Sequence, residues 1–153
     1  MKIGGLLHAT LLVADLGRSR NFYEAVLGLQ PDAGRPDLGF PGVWYDVGPN
    51  QQIHLMQLPN PEDGLQRPGH PQGARRGCLE EVLVPVGDKK PTLQQHTQHG
   101  GRDRHVALAV SGFDQLAQTL DAAGISCTPS RSGRRALFCR DPDGNALEFV
   151  AAD

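Results

Sequence analysis

Two stretches of the chain carry the same arrangement of apolar and polar positions. His8-Ala9-Thr10-Leu11-Leu12-Val13, followed by Leu16, matches His105-Val106-Ala107-Leu108-Ala109-Val110, followed by Phe113, at a constant separation of 97 residues. Each copy predicts a strand that runs into a helix. In the first, Asp15 stands where a helix cap is wanted, Phe22, Val26 and Leu29 fall near one face, and Gly28 lies at the expected left-handed stop. In the second, Ser111 and Asp114 have capping-box spacing, and Phe113, Leu116, Ala117 and Leu120 follow the i, i+3, i+4, i+7 rule. Gly124 ends that run.

Short strand-like pieces follow each helix. In the first half they cover 43–47 and 52–58 around the turn Gly48-Pro49-Asn50. In the second half they cover 125–129, 136–140 and 146–150, separated by Ser132-Gly133 and Asp141-Pro142-Asp143-Gly144. Residues 31–40 are broken by Pro, Gly and Asp, so the strand before Val43 is the least defined. Each half therefore predicts a βαβββ module, module one over about 6–58 and module two over about 104–151. The 45 residues between them, 59–103, are rich in Pro, Gly and polar side chains and long for an internal connection. They predict a flexible insertion, with a lid over a site as the alternative; 79–86 has strand character, and His96 and His99 sit near the end.

Length and composition fit one α+β domain spanning 1–153, since 153 residues support one sizeable core and 19 Gly with 12 Pro argue against a helical bundle. With 15 basic against 17 acidic residues, net −2, the chain has no bulk positive field for nucleic acid or an anionic membrane. Arg-rich groups such as Arg131, Arg134 and Arg135 serve solubility or a local anion clamp. Three cysteines, Cys78, Cys127 and Cys139, make no disulfide framework and suit a reducing cytoplasm. No signal-like or membrane-spanning stretch is apparent, so a soluble protein is expected.

The repeat also pairs chemistry. His8 and His105 hold the same place in the first strand of each half, and an offset of 94 sets His54 against Glu148 in the last strand. Strand alternation aims each at one face of a sheet. Three imidazoles and a carboxylate suit a divalent ion of intermediate softness, with Zn, Ni, Fe, Co and Mn all chemically compatible.

These residues resemble the vicinal oxygen chelate superfamily, which includes glyoxalase I, fosfomycin-resistance proteins, bleomycin-binding proteins and extradiol dioxygenases. The resemblance rests on His8 through Leu29, with Asp15, Phe22-Tyr23 and Leu27-Gly28; on His54; on His105 through Val110; and on Asp141-Pro142-Asp143-Gly144 through Glu148. It implies paired βαβββ modules whose curved mixed sheets enclose a metal held by His8, His54, His105 and Glu148. It also implies a homodimer and a lyase or isomerase of glyoxalase I type, acting on a small carbonyl compound through an enediolate-type intermediate. Glu148 either leaves the ion to shuttle a proton or stays as a permanent ligand. Two alternatives come with the family: an Fe(II)-dependent extradiol-type dioxygenase, in which a third His takes room from substrate and oxygen, and a non-enzymatic binding protein of bleomycin-resistance type. The chain departs from glyoxalase I where Leu12 replaces an Arg, Leu58 replaces an Asn, and His54 stands at a glutamate position. Those changes argue against a glutathione adduct as substrate and leave Arg131, Arg134 and Arg135 as candidate contacts for a different anion.

Overall fold

The computed structural model describes residues 3–58 and 104–152. The expected strand at 79–86, His96, His99, Cys78 and the insertion as a whole lie outside the described residues.

The predicted repeat appears as two small mixed sheets. In the first, β1 (His8–Val13), β2 (Gly42–Gly48) and β3 (Gln51–Gln57) take the order β1-β3-β2, with β1 parallel and β2 antiparallel to β3. In the second, β4 (His105–Val110), β5 (Thr128–Pro129), β6 (Ala136–Arg140) and β7 (Ala146–Ala151) take the order β4-β7-β6-β5, with β4 parallel to β7. In both, the strand that opens the module lies at an edge and the strand that closes it lies inside. The missing fourth strand of the first sheet is reduced to one bridge, Pro31 to Tyr45, where β5 has its two residues in the second. Pro, Gly and Asp over 31–40 leave the chain too few N–H donors and extended residues to lengthen that ladder.

The helices differ from expectation in detail. Asp15 caps α1 (Leu16–Arg20) by accepting from Arg18 N at 3.0 Å, but the helix continues over Asn21–Val26 as a π-helical turn, with Leu27 N donating to Phe22 O. The wider winding sets successive side chains closer to one face, so that Phe22 and Tyr23, adjacent in sequence, are both buried. Gly28, at φ 74°, ends the segment as predicted. The capping box expected at Ser111 and Asp114 does not form. Gly112 occupies the cap of α2 (Phe113–Ala122) at φ 74° with no side-chain bond, because the tight left-handed turn after β4 needs a residue without Cβ. Asp114 instead accepts from Arg135 Nη2 at 2.6 Å.

Strand alternation divides each sheet into a core face and an open face. Val13, Val43, Tyr45, Ile53 and Leu55 pack with Phe22 and Tyr23, and Leu137, Cys139, Leu147 and Phe149 pack with Leu120 of α2. Each such side chain contributes roughly 1.5–3 kcal/mol by burial. The modules are clasped through the turn between β6 and β7. Asp143 accepts from Ala14 N at 3.0 Å and from Arg18 Nη2 at 2.9 Å, Tyr23 OH donates to Asp141 Oδ2 at 2.9 Å, and Asn145 Nδ2 donates to Leu12 O at 3.1 Å. No helix among the described residues is long and apolar enough to cross a membrane.

Candidate metal centre

The four sequence-predicted donors sit on the open faces, and the repeat holds down to their register. His8 lies opposite Gln52 on the parallel neighbour, two residues before His54; His105 lies opposite Ala146, two residues before Glu148. Each pair is thus the same diagonal on one face of a sheet. Both outer donors are on edge strands and both inner donors are buried, His54 at 6% and Glu148 at 4% exposure.

The second pair is set like two donors of one ion. His105 Nε2 and Glu148 Oε2 are 3.1 Å apart, close to the roughly 3 Å that separates neighbouring ligands with bonds of about 2.1 Å. Phe138, opposite Glu148 on β6, meets the His105 ring edge-on at 5.4 Å and limits its rotation. Arg134 Nη2 lies 3.6 Å from Glu148 Oε1. Of the three candidate anion contacts, Arg134 therefore reaches the site. Arg135 is bonded to Asp114 and lies over the Phe113 ring, and Arg131 is exposed on the turn after β5.

The first pair is held differently. His54 is stacked between His8 and Trp44, each with ring centroids at 4.3 Å and planes within 12° and 10° of parallel. Parallel rings aim their lone pairs side by side rather than at one point, so joint ligation requires an imidazole to turn. His54 Nε2 contacts Gln52 Oε1 at 2.9 Å, and the Gln52 amide nitrogen donates to Asp32 and Asp46. Burial, and then the neighbouring His8 and Arg35, push the His54 pKa below its ordinary value, while Asp32 pulls it back up in part. These groups border a cleft of about 890 Å³ lined by Leu7, His8, Trp44, Gln52, His54 and Met56.

Among the described residues no three His, Cys, Asp or Glu side chains gather as a metal-holding group. One folded chain thus presents two separate candidate pairs, or half-sites, His8 with His54 and His105 with Glu148. As a donor set, three imidazoles and a carboxylate fit a divalent ion of the intermediate class, and the spacing of the second pair agrees. Leu12 lies on the same face as His8 and His54, opposite Met56, and is half-buried; it offers no polar contact there. Trp44 and Gln52 were not anticipated. Alternation along β3 already puts Gln52 on the face of His54, whereas the meeting of Trp44 with His54 depends on the β2–β3 register, which the sequence does not display.

Comparison with known proteins agrees with this architecture. The family model described as Glyoxalase/Bleomycin resistance protein/Dioxygenase superfamily matches residues 5–149. Among curated proteins, "Glyoxylase I 4" of Arabidopsis thaliana is 24% identical over 158 aligned positions, covering 100% of this chain and 74% of its own length. "Lactoylglutathione lyase" of Haemophilus influenzae is 25% identical over 150, covering 95% and 90%. Among solved structures, an antibiotic binding protein from Streptomyces superposes with a TM-score of 0.60 at 17% identity, covering 100% of this chain and 99% of the other.

Proposed function

The chain belongs to the glyoxalase/bleomycin resistance protein/dioxygenase superfamily, and on that premise we propose that it is a metal-dependent lyase or isomerase acting on a small carbonyl-containing substrate. The observation that carries this reading is the pair His105 and Glu148, 3.1 Å apart on one sheet face, with His8 and His54 on the same diagonal of the other. His8, His54, His105 and Glu148 would hold the ion. When bound, a divalent cation supplies fixed positive charge that stabilises the oxyanion formed as a proton leaves the carbon beside a carbonyl.

The chain supplies the rest. In this reading Glu148 Oε1, the oxygen not engaged by His105, takes that proton and returns it to the adjacent carbon. Arg134, beside it, holds an anionic group of the substrate in reach of that oxygen. Trp44, Met56 and Leu7 line the cleft and displace water from the reacting region.

The separation of the two donor pairs supports a shared assembly. Edge strands β1 and β4 each carry one candidate donor and, among the described residues, each pair on one side only. We read the working unit as a homodimer in which module one of one chain meets module two of its partner, which covers both edges and brings four donors together. Elemental analysis of protein purified without added metal or chelator, followed by assays with the recovered ion, tests the reading. It predicts a divalent ion in stoichiometric amount, lost in His105→Ala, and weak turnover of the methylglyoxal–glutathione adduct because Leu12 and Leu58 offer no charge-assisted bonds. Metal-free protein that binds no divalent ion contradicts it. A non-catalytic binding role is the second reading, favoured by the flat Trp44–His54–His8 stack in an open cleft and by the likeness to an antibiotic binding protein.

A further inference from the structure

The geometry points to a relay through Asp32, Asp46 and Gln52 that fixes which nitrogen His54 offers: Nε2 carries the proton, and Nδ1 is the donor atom. Gln52 acts here as a positioning residue, and the inference rests on the reading of His54 as a metal ligand.

The argument is one of donors and acceptors. Gln52 Nε2 lies 2.9 Å from Asp32 Oδ2 and 2.9 Å from Asp46 Oδ1. Ionised carboxylates only accept, so both amide N–H groups are spent on them and the amide has one orientation. Asp32 cannot turn away easily: its Oδ1 accepts from Gly34 N at 2.7 Å and its own N–H donates to Trp44 O at 2.8 Å. Asp46 faces Gln52 directly across the β2–β3 ladder. Gln52 Oε1 must therefore be the atom at 2.9 Å from His54 Nε2, and an amide oxygen only accepts. His54 Nε2 is then the donor. An imidazole that ligates a metal is neutral and has a single N–H, so with that N–H on Nε2 the free lone pair is on Nδ1.

The stack completes the lock. To present Nε2 instead, the His54 ring must rotate about χ2, and Trp44, stacked on it at 4.3 Å, opposes that motion, so that the ring that turns for joint ligation is His8. Ligating histidines ordinarily donate their second ring N–H to an acceptor that fixes the tautomer. Gln52 is that acceptor, with its own orientation imposed by two aspartates. The half-site of module one thus differs from that of module two, where His105 faces Glu148 with Nε2.

The test is heteronuclear NMR of the full chain, labelled with nitrogen-15 at histidine and titrated with cadmium-113. The expected result is cadmium coupling to Nδ1 of His54, while its Nε2 keeps a slowly exchanging proton in both the free and the loaded protein. Coupling to Nε2 overturns this inference and leaves the metal reading standing; coupling to neither nitrogen of His54 overturns both. In Gln52→Leu the Nε2 proton should exchange faster and cadmium affinity should fall about tenfold; unchanged exchange and affinity overturn the relay. Should that variant not fold, the spectrum of the unaltered protein decides the matter alone.

Discussion

Glu148 and His54 are the two polar side chains that the open faces bury, and their surroundings decide what each can do. Glu148 has one oxygen on His105 and the other toward Arg134, so it is held without being neutralised by a tight ion pair. Glu148→Gln keeps the shape and removes the proposed base; activity on a carbonyl substrate should drop by at least about 100-fold, the usual worth of a positioned proton carrier. Retained turnover would assign the base elsewhere. His54 is governed by burial. Its folded pKa is depressed below 6.5, so it is neutral near physiological pH, and folding stability linked to it is present above that value and lost as pH falls through the lower folded value. Proton NMR of the metal-free protein should show its imidazole titrating below 6.5; titration at or above 6.5 would contradict the burial argument. The strand positions of the four candidate donors were legible because alternation and the repeat set them in matching places. Trp44, Gln52, Asp32 and Asp46 were not, since their meeting is fixed by cross-strand register and by a loop, Asp32 to Gly34, that carries no periodic signal.

Among the elements, the turn from β6 to β7 links the module carrying Glu148 to the strand carrying His8. Asp141 is its centre: Oδ1 accepts from Asp143 N and Asn145 N, and Oδ2 from Tyr23 OH and Asn145 Nδ2. An amide in its place sets a donor against a donor. Asp141→Asn should therefore lower stability by about 1–3 kcal/mol in urea denaturation, and an unchanged midpoint would show the clasp to be slack. The repeated modules and the glycine stops of both helices could be read from hydrophobic period and turn residues, and the mixed sheets from the family resemblance. What the sequence hid was the π-helical turn that buries Phe22 and Tyr23 together and the cap at Gly112 in place of Ser111, whereas Pro, Gly and Asp over 31–40 already marked the first sheet's fourth strand, reduced to a single bridge at Pro31, as weak.

On the scale of the molecule, the fold repeats itself but does not close on itself. Each module opens on an edge strand of its sheet, β1 or β4, with a histidine on it, and among the described residues no three of the candidate donors gather within a chain. Sedimentation at micromolar concentration should give a dimer; a monomer with full metal content would reject a shared site. The most direct test of four donors meeting between chains is complementation. His54→Ala and His105→Ala chains, each expected to have lost tight metal binding, are mixed, dissociated and reassociated. A mixed dimer has one site assembled entirely from unaltered modules, so a random mixture should recover about a quarter of the original tight sites. No recovery, in protein that re-forms dimers, would contradict a centre built by His8 and His54 of one chain with His105 and Glu148 of the other.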